Sequence, residues 1–169
     1  TARVSQDHAA SGERSLRFTD GPGQKYHYNP HVYYETEFSS GRVVCRFDLL
    51  IDAQTHMYFQ WRQYSVAPFA RGAFLAIDPG GILKADGRQL TVLPIGTWVR
   101  FEITGAVGPA SVGTYDVRVR PGPGAAAQTF RALTYDETFE KLEWIGFVSS
   151  GTESSMFYLD NLKLSAIQP

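Results

Sequence analysis

Residues 98–104, Trp-Val-Arg-Phe-Glu-Ile-Thr, alternate between apolar and polar side chains along their whole length. Val99, Phe101 and Ile103 share one parity, and polar or amphipathic residues fill the other. Successive side chains of a β-strand point to opposite faces, so this pattern predicts a strand with one face in a core and one face in water. Antiparallel sheets with a single wet face produce such segments.

The same period of two recurs along most of the chain. Gly, Pro, Asn and Asp separate the segments, as at Asp78-Pro79-Gly80-Gly81. One short stretch, Asp136–Lys141, is a helix candidate with Asp136 as N-cap. Many short strands at this spacing predict an all-β fold, a two-sheet antiparallel β-sandwich formed as one domain over residues 1–169. The predicted strands are Ser15–Thr19, Val32–Phe38, Arg42–Ile51, His56–Arg62, Ala73–Ile77, Gly81–Lys84, Gln89–Val92, Trp98–Thr104, Gly113–Arg120, Gln128–Ala132, Leu142–Ser149 and Ser155–Ser165, with a weak first strand at Arg3–Gln6.

Composition and charge exclude several function classes. The 169 residues include 16 basic and 17 acidic side chains, and a net charge of −1 gives no general attraction to nucleic acid or to an anionic membrane. A single cysteine, Cys45, excludes an internal disulfide and a thiolate zinc site within one chain, and its parity predicts a core thiol. The longest apolar run, Ala73–Ile77, is far shorter than a membrane span. The ends suggest a domain with covalently linked neighbours in a longer chain.

An unusual polar face follows from the segment His56–Tyr64. Its apolar parity predicts core residues, and the other parity places an imidazole, two phenols, an amide and a guanidinium in line. Planar polar groups bind vicinal sugar hydroxyls, aromatic rings stack on the apolar face of a pyranose, and arginine suits an acidic sugar. The alternative is a solvated sheet covered by long polar side chains. The candidate ligand-binding residues of the predicted strands are Glu35, Arg46, His56, Tyr58, Gln60, Arg62, Tyr64 and Arg71, on the expectation that their strands share one sheet.

The loop from Gly21 to Tyr34 adds a second group of aromatic candidates. Tyr26, Tyr28, His31 and Tyr33 lie in or just after it, and Tyr28-Asn29-Pro30-His31 predicts a fixed turn that aims a ring at a ligand. Exposed aromatic rings are unfavourable unless they pack or bind. The alternative is a loop that folds back and buries its rings against the edge of the sandwich.

Oxygen-bearing residues near the two ends of the chain suggest a structural calcium ion. The candidate ligands are Asp7, Ser11 and Glu13 near the start and Asp160 near the end. Calcium prefers carboxylate and carbonyl oxygens, and a shared ion would hold both ends of the domain. The alternative is a plain hairpin at Ser11-Gly12 and a strand end at Asp160. The four histidines are scattered and predict no transition-metal site.

Three segments resemble jelly-roll carbohydrate-binding modules of the concanavalin- and laminin-G-like sandwiches. Ala10–Phe18 (ASGERSLRF) resembles their opening strand, Met156–Leu164 (MFYLDNLKL) their closing strand, and Gly96–Glu102 (GTWVRFE) an internal one. The resemblance implies a jelly roll, a structural calcium at Asp160 and attachment to a secreted bacterial polysaccharide-degrading enzyme, hence an extracellular location. Asn161 stands where the family has a second carboxylate.

Three functions follow as alternatives. The first is a non-catalytic module that binds a polysaccharide, including an acidic one. The second is a small lyase or hydrolase that uses His56, Tyr58, Gln60 and Arg62, since these side chains include a base and groups that neutralise a uronate carboxylate. The third is a structural or protein-interaction module. The chain is short beside catalytic members of the fold, and fold alone does not decide the function, so the binding module is the main expectation.

Overall fold

The computed structural model describes residues 1–167, which form a two-layer sandwich of antiparallel strands. The strands are β1 (Ala2–Ser5), β2 (Ser15–Asp20), β3 (His31–Phe38), β4 (Gly41–Ile51), β5 (Met57–Gln63), β6 (Ala70–Asp78), β7 (Ile82–Ala85), β8 (Arg88–Val92), β9 (Val99–Val107), β10 (Thr114–Pro121), β11 (Gln128–Thr134), β12 (Leu142–Ser149) and β13 (Ser155–Ile167). A 3₁₀ turn spans Gly108–Ala110. The predicted fold class is confirmed.

The strands divide into two sheets in an order that differs from the chain order. The seven-stranded sheet runs β1-β2-β13-β4-β9-β10-β11, and the six-stranded sheet runs β3-β12-β5-β6-β7-β8. The two long strands near the chain's end therefore lie inside the sheets, β13 between β2 and β4 and β12 between β3 and β5. This crossing of late strands between early ones brings β3 and β5 onto one surface.

The core lies between the sheets and is built from the apolar parity of each strand. Phe47 of β4 contacts Phe59, Phe101 and Phe147, with ring centroids 5.0–5.1 Å apart, so aromatic rings from both sheets meet at one point. Cys45 is fully buried beside them, and burial raises the pKa of its thiol to about 12. It is a core residue, as predicted.

Two local expectations are wrong. Residues Asp136–Lys141 form a turn, closed by a 2.9 Å hydrogen bond from the Phe139 N–H to the Asp136 carbonyl, and not a helix. Tyr34 has the parity of a core residue but is 47% exposed, because β3 is an edge strand and its inward face is only half covered. Within residues 1–167 no helix is long and apolar enough to cross a membrane.

Candidate functional site

The outer face of the six-stranded sheet carries a field of registered polar and aromatic side chains. Strand β12 pairs with β3 on one side and β5 on the other, and β6 continues the sheet beyond β5. The pairing places residues in cross-strand rows, within which neighbouring side chains on one face lie about 5 Å apart. The rows are Glu35–Trp144–Arg62–Arg71, Tyr33–Gly146–Gln60–Phe74 and His31–Val148–Tyr58–Ala76.

The indole of Trp144 lies across the space that a side chain at position 146 would occupy. A Cβ added to Gly146 would lie 2.0 Å from Cη2 of Trp144, so only glycine leaves room for the ring there. The ring is thus held against the sheet, stacked at 5.8 Å on Tyr33, and the residue is only 6% exposed. A flat aromatic floor results, with one side held by the backbone and the other side turned toward the cleft.

The guanidinium of Arg62 lies over this floor. Its central carbon is 4.3 Å from the Trp144 ring centroid and 4.6 Å from that of Phe69, distances that give cation–π attraction. Nε donates to Oε1 of Gln60 and Nη1 donates to the hydroxyl of Tyr64, each at 2.8 Å. The group is therefore fixed in orientation before any ligand arrives.

Tyr64 is positioned by a carboxylate. Oε2 of Glu143 accepts hydrogen bonds from the backbone N–H groups of Tyr64 and Ser65, at 2.6 and 2.8 Å. Burial acts to raise the pKa of Glu143, but these hydrogen bonds outweigh it and hold the pKa below its usual value. Glu143 stays ionised and keeps the Tyr64 hydroxyl beside Arg62.

The loop before β3 forms the other wall. The ring of Tyr28 meets the edge of His31 at 5.6 Å, and Tyr26 stacks on the outer side of Tyr28 at 5.1 Å. His31 is oriented by Asn29, whose Oδ1 lies 3.1 Å from Nδ1. An amide oxygen only accepts, so Nδ1 is the donor, and in the neutral ring Nε2 is then the acceptor.

Together these elements enclose an open cleft of about 800 Å³. Imidazole, phenol, indole, carboxylate and guanidinium groups line it, and that mixture suits a ligand with both apolar rings and polar substituents. The lining residues, here called the cleft, are His27, Tyr28, His31, Tyr33, Glu35, Tyr58, Arg62, Tyr64, Trp144 and Val148.

Tyr58 stands half-buried in the cleft next to Phe74, with ring centroids 5.7 Å apart. Burial raises the pKa of its phenol, and the opposing effect of the Arg62 charge is smaller. At neutral pH the hydroxyl is therefore protonated and able to donate a hydrogen bond into the cleft.

The structure brings most of the sequence candidates into the cleft and places others outside it. Within the cleft lie Tyr28, His31, Tyr33, Glu35, Tyr58, Arg62 and Tyr64. Gln60 is buried and orients Arg62 from below. Tyr26 supports Tyr28 from outside, and Arg71 packs over Phe74 at 5.0 Å with Asp136 3.5 Å from its guanidinium.

The expectation that Arg46 shares a sheet with the other candidate residues is wrong. His56 lies next to the expected sheet, but it does not reach the cleft. Strand β4 belongs to the seven-stranded sheet, so Arg46 lies on the opposite side of the molecule, where it donates to Glu102 at 2.6 Å. The alternation of apolar and polar residues shows that a side chain faces outward, but it does not show to which of the two sheets its strand belongs. His56 precedes β5 at the end of the sheet and lies 3.4 Å from Asp78, outside the cleft.

Trp144, Val148 and His27 line the cleft but were not among the sequence candidates. A signal for Trp144 was present in the segment Leu142–Ser149. Its core parity is Ile145 and Phe147, so Trp144, the following glycine and Val148 share the outer face. Where a tryptophan is followed two residues later by a glycine on the same outer face, the missing side chain of the glycine leaves room for the tryptophan ring to lie flat against the sheet.

The residues proposed for calcium do not assemble around one point. Oδ2 of Asp160 accepts the backbone N–H groups of Ala10 and Ser11, at 2.8 and 3.1 Å, and Oδ1 accepts that of Asn161 at 2.7 Å. Asp7 instead pairs with Arg17 at 2.8 Å. N–H donors thus use three of the roughly four acceptor positions of this carboxylate, and the calcium site stays a prediction. Among residues 1–167 no group of three His, Cys, Asp or Glu side chains is placed to hold a metal.

Comparison with known proteins shows the fold but no family. No family model and no curated protein sequence matches the chain. Among solved structures, the PL-14 alginate lyase from Aplysia kurodai matches with a TM-score of 0.63 at 11% identity, over 98% of this chain and 87% of the lyase. The catalytic domain of the glycoside hydrolase family 131 protein from Coprinopsis cinerea matches with a TM-score of 0.54 at 11% identity, over 99% and 80%. The binding domain of botulinum neurotoxin DC, solved with SialylT, also gives 0.54, at 7% identity, over 100% and 42%.

These neighbours are carbohydrate-active sandwich proteins that include two enzymes and a binding domain. At such low identity they establish the architecture alone. The chain spans most of the length of both enzyme structures, so its length does not separate a binding module from an enzyme.

Proposed function

We propose that the cleft binds an acidic polysaccharide and that the domain is a non-catalytic carbohydrate-binding module. The observation that carries the proposal is the arrangement at Arg62. Its guanidinium lies over Trp144 and is held by Gln60 and Tyr64, while Nη2 has no acceptor among residues 1–167. A fixed cation with free N–H groups matches the carboxylate of a uronate, and the exposed ring of Tyr33 in the same cleft can receive the apolar face of the sugar.

The rest of the cleft suits a glycan chain better than a compact ligand. The exposed ring of Tyr33, held by its stack on Trp144, provides a surface for a sugar ring, and Glu35 and the Tyr58 hydroxyl provide hydrogen bonds for sugar hydroxyls. Because these groups lie on adjacent strands of one sheet, a bound chain would cross β3, β12 and β5.

Affinity electrophoresis in gels that contain alginate, polygalacturonate or neutral dextran tests this proposal. We expect the two uronate polymers, and not dextran, to retard the protein, and Arg62→Ala to weaken that retardation about tenfold, as expected for one lost charge-assisted contact. Arg88→Ala is the matched control, since Arg88 is an exposed residue of β8 in the same sheet that lies outside the cleft. Equal retardation of both variants, or none by any uronate polymer, would contradict the proposal.

A second candidate is a uronate lyase, and the pair His31 and Tyr58 favours it. The contact between Asn29 Oδ1 and His31 Nδ1 directs Nε2 of a neutral imidazole to act as the acceptor that a general base needs, and Tyr58 stays protonated, the state a general acid needs. In this reaction His31 would take the proton next to the carboxylate, Arg62 would stabilise the resulting charge, and Tyr58 would protonate the leaving glycosidic oxygen. The C–O bond would break as the C=C bond forms.

Ultraviolet absorbance of the unsaturated uronate product separates the two candidates. We expect no absorbance increase when the protein is incubated with alginate, polygalacturonate or ulvan, and we expect Tyr58→Phe to retain most of the affinity. An increase in absorbance that is abolished by His31→Ala and by Tyr58→Phe would establish the lyase instead.

The cellular setting is part of the same proposal. The resemblance to modules of secreted bacterial enzymes supports an extracellular location and covalently linked neighbouring domains, one of which acts on the bound polysaccharide. Fractionation of cells that produce the intact parent protein tests this, and recovery from the cytoplasm alone would contradict it.

A further inference from the structure

The outer face of the seven-stranded sheet carries a second feature, a groove lined by arginines. Strands β4, β9 and β10 are neighbours there, and their register places Glu102 between Arg46 and Arg118, and Arg100 between Asp48 and Arg120. A space of about 220 Å³ is lined by Arg46, Arg100, Glu102, Arg118 and Arg120. This surface, here called the arginine groove, lies on the opposite side of the sandwich from the cleft.

Nearby carboxylates neutralise only some of these arginines. Asp48 forms a two-point pair with Arg100, both contacts at 2.8 Å, and Glu102 accepts from Arg46 at 2.6 Å. The next carboxylate along β10, Asp116, accepts hydrogen bonds from Arg131 and from the backbone N–H of Ala132.

Arg118 and Arg120 are therefore left without a carboxylate within ion-pair distance in the described part of the chain. Both are exposed, and as alternate residues of one strand they project from the same face about 7 Å apart. The flanking residue of β11 opposite Arg118 is the uncharged Thr129. Two neighbouring guanidinium groups with unused N–H donors form a binding surface for oxyanions.

An aromatic wall continues the groove. A second space of about 210 Å³ shares Arg100 and Arg120 with the first and is bordered by Trp98 and the Gly122-Pro123 turn. Half-buried tryptophan beside paired cations is the combination that holds a sugar ring carrying a charged substituent. The half-buried Trp98 beside these cations, and not the positive charge alone, points to a glycan.

We propose that the arginine groove is a second glycan site, which binds the sulfate or carboxylate groups of a polysaccharide through Arg118 and Arg120. The site is independent of the cleft, because the two lie on opposite faces of the sandwich. One domain then holds two polysaccharide chains, or two segments of one chain, and gains avidity for an insoluble acidic matrix.

Affinity electrophoresis with dextran sulfate, alginate and unmodified dextran tests this site. We expect Arg118→Gln/Arg120→Gln to weaken retardation by dextran sulfate at least about tenfold at low salt, since two charge-assisted contacts are lost. Arg3→Gln/Arg14→Gln is the matched control, because both residues are exposed, lie outside the groove and remove the same charge. A comparison between dextran sulfate and alginate in the Trp144→Ala variant, whose cleft is disabled, shows which oxyanion the groove prefers.

The outcomes for the two sites are distinguishable. Trp144→Ala disables the cleft, and we expect it to leave retardation by dextran sulfate unchanged. The proposal for the groove would be wrong if the groove variant and its charge-matched control weakened retardation equally. It would also be wrong if double-stranded DNA retarded the protein with the same dependence on Arg118 and Arg120. Neither result would bear on the cleft. Weaker retardation by alginate in Trp144→Ala than in the wild type would support the cleft whatever the groove does.

Discussion

The substitution Gly146→Ala tests whether the floor of the cleft depends on a missing side chain. The added Cβ would lie 2.0 Å from Cη2 of Trp144, and ordinary contact begins near 3.4 Å. The indole must therefore withdraw by about 1.4 Å or more, since neither the backbone of β12 nor its neighbours β3 and β5 can move away. This single methyl group should lift the ring off the sheet.

Two effects of that movement have estimable sizes. Overfilling a packed position reduces stability by about 1–3 kcal/mol. Loss of the stack between Trp144 and Arg62, now 4.3 Å apart, removes about 1–2 kcal/mol of cation–π attraction that orients the guanidinium. If that orientation is used in binding, the Kd for a uronate polymer rises roughly five- to thirtyfold.

The assay combines affinity electrophoresis in alginate, urea unfolding and tryptophan fluorescence. We expect a red-shifted emission as the ring of Trp144 enters water, together with the loss of affinity. Trp144→Ala should show the same loss, and the double variant Trp144→Ala/Gly146→Ala should be no weaker than Trp144→Ala alone, because both changes remove one interaction. Unchanged emission and affinity in Gly146→Ala, or additive losses in the double variant, would refute the reasoning.

Three further predictions concern stability. For Asp48→Asn we expect urea denaturation to show a lower free energy of unfolding than the wild type at neutral pH and an equal one in acid. Burial acts to raise the pKa of Asp48, but hydrogen bonds from Arg100 and Asn161 outweigh it and hold the pKa below its usual value. The ionised Asp48 therefore stabilises the fold above about pH 4, and this stabilisation is lost as the pH falls through the folded-state pKa. A deficit independent of pH would contradict this. Asp160→Ala should lower the melting temperature, since three backbone N–H groups lose their acceptor. EDTA should leave the melting temperature of the wild type unchanged. A melting temperature that EDTA lowers and calcium restores would instead establish the calcium site. Tyr115→Phe should reduce the free energy of unfolding by about 0.5–1.5 kcal/mol through loss of the 2.9 Å hydrogen bond to the Phe74 carbonyl, and an unchanged urea midpoint would show that the bond contributes nothing.

Alternation was sufficient to predict the core from the sequence because a strand has only two faces. Alternation within the predicted strands places Phe47, Phe59, Trp61, Phe101 and Tyr115 on the apolar face of each strand, and each of these residues is at most 2% exposed. The same rule assigned the outer face of β5, which became one side of the cleft. The local alternation of residues decides which side chains of a strand face the core, so the core could be predicted without knowledge of the strand order.

Topology decides what the sequence could not predict. Arg46 and Arg62 have the same outward parity, yet they lie on opposite sheets because β12 and β13 enter between earlier strands. The partners of Trp144 likewise come from β3 and β5, more than 80 residues earlier in the chain. Parity gives the direction of each of these side chains, and only the strand order gives its neighbours.

The near-zero net charge of the chain hides two surfaces of different chemistry. On the six-stranded sheet, the single guanidinium in the cleft lies among aromatic rings, which favours a ligand that offers ring faces as well as a carboxylate. On the seven-stranded sheet, guanidinium groups lie among carboxylates. Glu102 pairs with Arg46 and Asp48 pairs with Arg100, and the arginines of the neighbouring strand β10 are left without a carboxylate partner in the described part of the chain. A ligand that is charged but offers little ring contact should therefore prefer the second surface. The two sites then differ in salt dependence: raising salt from about 50 to 200 mM should weaken binding at the arginine groove far more than binding at the cleft.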